Sequence, residues 1–303
     1  MIGLALLLLL AGLVFMPKSN TKEAGIIDAA ANGILGEPEN TVDTLFLGDS
    51  LAYSAFIPMH IWEETGSTSY VCSTGEQQLQ YTSELLKKAF THQSPKTVFL
   101  EANVIYRKVN LGTVIYTKLY DAFSVFRYHD RWKDLSVQDL TRRKNYSWTD
   151  DEKGFRYFTD VRAAEETDYM AGDEYASAEI PDLNKALLKE LADTCAEHGA
   201  ELVIISVPSM KNWSRAKHNG VRALAEEIGV DYYDLNAPGT LMIDWQTDTR
   251  DKGDHMSYSG AVKVTDYVIE RLAEKQALTD HRADPAYAPW HEAFARVKAK
   301  NAQ

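Results

Sequence analysis

Apolar residues recur along the chain in two rhythms. Short runs of period two or none stand at Asp43–Leu47 (DTLFL), Ser69–Ser73 (SYVCS), Lys96–Glu101 (KTVFLE), Glu201–Val207 (ELVIISV) and Val230–Leu235 (VDYYDL). Gly48 stops the first and Pro208 the fourth. Their length and bounds predict strands. Between them the apolar positions fall three and four apart, which predicts amphipathic helices over Gln77–Phe90, Pro181–His198, Asn219–Ile228 and Tyr258–Ala273. In the second of these, Leu183, Leu187, Leu188, Leu191 and Ala192 share one face. Strands alternating with helices predict βαβ units and a parallel sheet. Near-continuous apolar strands predict a sheet covered on both faces. The fold class expected is therefore α/β, a three-layer α/β/α sandwich of flavodoxin-like type with about five parallel strands, spanning 41–275.

Three stretches depart from that rhythm. Residues 104–180 are rich in Tyr, Trp, Arg and Asp and predict a partly helical insertion over the sheet. Residues 18–40 read as a linker and 276–303 as a polar tail. Residues 2–16 (IGLALLLLLAGLVFM) carry no charge and end at Pro17 and Lys18. A helix of that length spans roughly 22 Å, less than a hydrocarbon core of about 30 Å. It also matches the apolar part of an export signal, although the nearest small-residue site, Ala29–Ala31, lies far downstream. Lys18 and Lys22 follow the run and no basic residue precedes it, so charge alone places the body in the cytoplasm. The expectation is nevertheless an anchor over 1–17, left uncleaved, with its native start upstream. The body would lie at the outer face of a bacterial membrane, or be secreted if the segment is cleaved.

Charge narrows the partners. The net charge is −12 and no basic patch with interleaved aromatics occurs, which argues against nucleic acid. The two cysteines, Cys72 and Cys195, form no metal-ligand spacing and read as buried thiols.

Candidate chemistry gathers just past predicted strand ends, where open α/β sheets bind ligands. In Leu47-Gly48-Asp49-Ser50-Leu51 a strand runs into Gly48 and Ser50 stands where the next helix begins. Its hydroxyl faces the crevice, and its N–H joins a helix N-terminus suited to an oxyanion. In Asp251-Lys252-Gly253-Asp254-His255 an imidazole with an acid beside it precedes the last helix. A serine hydroxyl needs such a base to become a nucleophile. Gly75 and Asn103 follow the second and third strands and offer an N–H and an amide to a tetrahedral oxyanion. In the insertion, Tyr106, Tyr128, Arg131, Trp132, Arg156 and Tyr157 are residue types that stack on sugars and bind anions, and are expected to line a groove leading to Ser50.

Ser50, Gly75, Asn103 and His255, in that order over 41–275, resemble the SGNH/GDSL hydrolase family. The resemblance implies a Ser-His-Asp triad, an oxyanion hole of Ser50, Gly75 and Asn103, and no cofactor or metal. Here Glu101-Ala102-Asn103-Val104 stands where the family reads GxND, and Lys252 stands three before the histidine, the family's usual place for the acid. Asp254, adjacent to His255, is slightly preferred as the acid and Asp251 stays open. The sequence is also similar to membrane-tethered members that add or remove acyl groups on cell-wall polymers. The expected activity is an esterase removing acyl groups, O-acetyl foremost, from an envelope glycan or a related ester. An acyltransferase on such a polymer and a non-catalytic glycan-binding scaffold are the alternatives.

Overall fold

The computed structural model describes residues 2–301. Met1, at the start of the expected anchor, and residues 302–303, at the end of the expected tail, lie outside the described residues. Five strands, β1 (Thr44–Gly48), β2 (Ser69–Ser73), β3 (Thr97–Glu101), β4 (Glu201–Ser206) and β5 (Asp231–Asp234), form one parallel sheet in the order β2-β1-β3-β4-β5. The helices used below are α1 (Ile2–Phe15), α2 (Ala29–Asn32), α3 (Ser50–Tyr53), α4 (Pro58–Thr65), α5 (Leu79–Phe90), α6 (Leu111–Ala122), α7 (Ser124–Arg127), α8 (Val137–Thr141), α9 (Asp182–Glu197), α10 (Arg215–Ile228), α11 (Tyr258–Glu274) and α12 (Ala288–Asn301).

Alternation along the strands builds two cores. Leu45, Leu47, Tyr70, Cys72, Val98, Leu100, Leu202 and Ile204 face α5, α9 and α10. Phe46, Val71, Phe99, Val203 and Ile205 face α11, which contributes Ala261, Val264, Val268 and Leu272. Both faces of the sheet are thus covered, which gives the three layers and the flavodoxin-like order expected. Helix α10 begins at Arg215, a turn before the predicted Asn219, because Ser214 caps it by accepting the Lys217 N–H at 3.3 Å. Cys72 and Cys195 are buried free thiols on the first core. Burial pushes the Cys195 thiol up to about 12.

Two segments read as peripheral belong to the body. The predicted linker folds under the sheet: Ala31 and Ile34 enter the first core, and Tyr70 donates to the Ala30 carbonyl at 2.8 Å. Its Glu37 is fully buried against Lys153 at 2.7 Å. The predicted tail carries α12, whose Trp290 is fully buried, 5.7 Å from Trp62 between ring centres. Lys153 Nζ lies 4.7 Å over the Trp290 ring. Neither segment has enough apolar residues to announce itself, since each contributes only a few side chains to a core made elsewhere.

The insertion divides. Its first half, with α6, α7 and α8, packs on α1 and on α5. Its second half, from about Trp148, is largely without regular structure and is stapled to the edge strand β2, where the Val71 N–H donates to the Lys153 carbonyl at 2.8 Å. A Cβ on Gly154, in left-handed backbone (φ 87°), would lie 2.0 Å from the Val71 carbonyl oxygen, so this approach requires glycine. Helix α1 is 14 residues long, and no helix among the described residues is long and apolar enough to cross a membrane.

Candidate active site

The register of the sheet brings three of the sequence candidates level. Leu47 pairs with Cys72 on β2 and with Leu100 on β3. Ser50, Gly75 and Asn103 each lie three residues beyond those paired positions, at the carboxyl end of the sheet. The crevice between β1 and β3 is where the strand order reverses, the usual ligand site of such sheets.

The turn that delivers Ser50 is tightly constrained. A Cβ on Gly48 would fall 2.6 Å from Glu101 Cβ and 2.7 Å from Ala52 Cβ. Asp49 is fully buried and caps α3: its Oδ1 accepts the Leu51 N–H at 3.0 Å. Its Oδ2 accepts from Asn103 Nδ2 at 2.9 Å and from Arg107 Nε and Nη2 at 2.9 and 2.6 Å. Ser50 opens the helix, so its own N–H has no intrahelical acceptor.

The opposing turn holds the imidazole of His255. Lys252 and Gly253 adopt left-handed backbone (φ 65° and 83°), which folds the chain back on itself. Asp251 therefore reaches both the His255 backbone N–H, Oδ1 at 2.7 Å, and the ring, with Oδ2 2.6 Å from Nδ1. The other ring nitrogen, Nε2, is 2.8 Å from Ser50 Oγ. An ionised carboxylate only accepts, so Nδ1 carries the proton and Nε2 presents a lone pair to the serine hydroxyl. Burial raises the affinity of Asp251 for a proton, but the hydrogen bonds from His255 outweigh it and hold the carboxyl below its usual range. Arg250, 3.8 Å from Asp251 and stacked 3.6 Å from the centre of the Phe158 ring, adds to that effect.

The preference for Asp254 does not match this geometry. Its carboxylate is 3.6 Å from Nδ1 and instead accepts from Asn212 Nδ2 at 2.5 Å. The left-handed pair returns the carboxylate four residues back to the imidazole and turns the adjacent one toward Asn212. Asp251, Asp254 and His255 offer ligand atoms within 4.8 Å of one another, but both ring nitrogens of His255 are engaged by Ser50 and Asp251.

Gly75 lies on the exposed turn after β2. Asn103 is almost buried and uses one amide hydrogen on Asp49, leaving the other of its two. Beneath it Glu101, fully buried, accepts the Asn103 backbone N–H with both oxygens at 3.1 and 3.0 Å. Burial first, and then the neighbouring Asp49 charge, drive the Glu101 carboxyl well above its usual range. Lys217 Nζ is 2.6 Å from the Asn212 carbonyl and 3.4 Å from Asn103 Oδ1, and burial lowers its ammonium. Sequence reasoning missed Arg107, Glu101, Asn212 and Lys217. Only Glu101, a charge closing an apolar run, carried a local signal.

The insertion candidates separate into two groups. Arg156 stacks 4.2 Å over the Tyr53 ring, and Tyr157 meets Tyr258 edge-on at 5.1 Å. Tyr53 and Tyr258 lie three residues after Ser50 and His255, so this pair flanks the serine and the imidazole. Tyr106 packs on Trp213 and donates to the Lys217 carbonyl at 2.8 Å, beside Asn103. Tyr128, Arg131 and Trp132 do not join them. Arg131 binds the Phe15 carbonyl at 2.5 Å and Asp139 at 2.9 Å. Tyr128 lines a cavity of about 210 Å³ with Met16, Ile26 and Tyr146, and Trp132 is exposed beside Lys133. Tyr128 and Arg131 serve the seat of α1 rather than a groove to Ser50, and Trp132 stands in the open.

No protein-family model matches the chain, and no curated protein matches it. Solved structures similar to it include a lipase/acylhydrolase from Enterococcus faecalis, at 10% identity and a TM-score of 0.41, covering 80% of this chain and 100% of that one. A GDSL-like lipase from Bacteroides thetaiotaomicron matches at 9% identity and a TM-score of 0.38, covering 85% and 95%. An acetyl-xylooligosaccharide esterase variant from Geobacillus Stearmophilus matches at 12% identity and a TM-score of 0.38, covering 78% and 95%. At these identities and scores the likenesses settle neither the fold nor the activity of this chain, and both rest on its own geometry.

Proposed function

We propose that this chain is a serine esterase of SGNH/GDSL type that removes acyl groups, O-acetyl groups foremost, from a glycan of the bacterial envelope. The observation that carries the chemistry is the line from Ser50 Oγ through His255 to Asp251, with contacts of 2.8 and 2.6 Å. Ser50 Oγ attacks the ester carbonyl as its proton passes to Nε2 of His255. Asp251 holds the imidazole in the required tautomer and stabilises its cationic form. The Ser50 N–H, the Gly75 N–H and the second amide hydrogen of Asn103 stabilise the oxyanion. The leaving sugar oxygen takes the proton from Nε2, and the acyl group stays on Ser50. Water then attacks the acyl-enzyme, gives its proton to His255, and releases the carboxylic acid with Ser50 restored.

A glycan substrate is supported by Arg156 and Tyr157, an exposed guanidinium and a half-buried ring packed on Tyr53 of α3, which Ser50 opens, and on Tyr258, three residues after His255. The envelope setting is supported by the apolar run of α1.

The test is labelling by a fluorophosphonate probe together with hydrolysis of p-nitrophenyl acetate. Ser50→Ala should lose labelling and at least about 10⁴-fold in rate with unchanged melting. A rate within about tenfold of wild type overturns the assignment. Acetate released from an O-acetylated envelope glycan identifies hydrolysis, whereas acetyl recovered on an added oligosaccharide identifies transfer.

A further inference from the structure

Helix α1 is apolar on all sides and keeps Leu4, Leu7, Leu10 and Leu13 exposed. It packs on α7, α8 and the turn at His129–Lys133. The approach is close: a Cβ on Gly12 would stand 2.7 Å from Ser124 Oγ. Its last carbonyls are capped from the side, Leu13 by Lys18 Nζ and Phe15 by Arg131, both at 2.5 Å. The helix is therefore seated on the first half of the insertion.

That half continues the apolar surface. Along α6, Val114 turns inward while Leu111, Ile115 and Leu119, four residues apart, turn out with Tyr116. Trp132, Val137 and Leu140 are 63%, 76% and 67% exposed. Exposed apolar side chains on elements that pack on one another mark a binding face. Its charge departs from that of the whole chain. Residues 108–146 hold eight Lys or Arg and four Asp, a balance of +4 within a chain of −12. Lys118, Lys133, Arg142 and Arg143 are exposed, and none of the last three forms an ion pair among the described residues. Exposed apolar side chains with exposed cations near them in the chain match the interface of an anionic bilayer, where each Lys or Arg near the surface adds to binding.

We infer that α1 and the first half of the insertion form one membrane seat, with α1 entering the lipid and α6, Trp132 and α8 lying on an anionic bilayer surface. This rests on the envelope setting proposed above and deepens it: the insertion half first read as glycan-binding holds the catalytic body at the membrane.

The full chain should co-sediment with vesicles of phosphatidylcholine and phosphatidylglycerol more strongly than with phosphatidylcholine alone. Arg142→Glu with Arg143→Glu should weaken binding to the anionic vesicles by roughly twentyfold or more, taking about fivefold per charge. Ile115→Gln, Val137→Gln and Leu140→Gln together should weaken binding to both kinds. The component of emission lost in Trp132→Phe should become shielded from iodide when vesicles bind. Binding unchanged in both variants, or a Trp132 still open to iodide in the bound state, overturns the seat and leaves α1 as a lone anchor. Self-association of the wild type without vesicle binding overturns it in favour of a second copy. Hydrolysis of p-nitrophenyl acetate is measured on every variant. Lost binding with intact hydrolysis is the expected result for the variants, and in the wild type it defeats the seat alone. Binding without any hydrolysis defeats the esterase reading alone.

Discussion

At the carboxyl end of the sheet, polar side chains are buried and nearly every one has a named partner. Asp49 alone accepts from Leu51, Asn103 and Arg107. Across α1 and the first half of the insertion, the reverse holds: large apolar side chains stand in the open, with exposed cations near them in the chain. The first arrangement fixes atoms to within a hydrogen bond, as a reacting serine requires. The second fixes only a surface, as the proposed adhesion to a bilayer requires. A buried polar group without its partner costs about 1–3 kcal/mol, so the first region tolerates few substitutions. The second should tolerate many until membrane binding is measured.

The contrast is broken most directly at the acid. Asp251→Asn should lower the rate on short esters by about 10⁴-fold, as loss of the orienting carboxylate does elsewhere, with melting little changed. Asp254→Asn should cost no more than about tenfold, because Asn212 and not His255 is its partner. Equal losses in steady-state assays would mean that the left-handed turn does not select between the two.

The second half of the insertion should behave as part of the rigid region. Glu37→Gln leaves the Lys153 ammonium buried without its carboxylate, and removing one partner of a buried pair costs about 3–5 kcal/mol. Thermal unfolding should show the loss in the whole domain. A change confined to residues 149–157 by hydrogen exchange would place this lobe with the adaptable pole instead.

The first half should loosen on its own. Arg127 joins Glu84 of α5 through both guanidinium nitrogens, with Lys88 at 2.5 Å from the same carboxylate. Burial opposes ionisation of Glu84, yet Arg127 and Lys88 prevail and hold its carboxyl below the usual range. A depressed carboxyl contributes stability that is full above its unfolded value, near 4.5, and is lost as pH falls through the folded one. Arg127→Ala should therefore raise hydrogen exchange over 107–148 at neutral pH by roughly tenfold, and less in acid, without touching ester hydrolysis. A parallel loss of hydrolysis would couple the two regions.

The smallest effect belongs to Glu101. Its raised carboxyl has the opposite sign: the fold favours the protonated form, so stability falls as pH climbs from the unfolded value through the folded one. Glu101→Gln keeps an acceptor for the Asn103 N–H and cannot ionise beside Asp49. Melting should rise by about 2–4 °C at neutral pH, with the gain shrinking toward pH 4.5. A lower melting point at neutral pH would assign Glu101 a structural ion-pair role with Lys217.

What the sequence determined by itself was whatever depends on near neighbours. The period of apolar residues set β2 to the residue, the other strands within a residue, and the four predicted helices within about a turn, since pleat and helical pitch are local geometry, but it did not announce α6 or α12. The step from strand to helix marked Ser50, and a histidine with acids just before the last helix marked His255. Tertiary structure decided the rest. Which acid meets the imidazole depended on two left-handed residues, Lys252 and Gly253, that no periodicity reports. That Asp49 gathers Asn103 and Arg107 depended on β1 lying beside β3, a pairing between residues more than fifty apart in the chain. The division of the insertion, and the burial of Ala31, Ile34 and Trp290 from segments that looked peripheral, depended on surfaces that exist only after the sheet has closed. Composition names the residue types a site or a membrane face needs, but only packing assigns each aromatic and each arginine to one or the other.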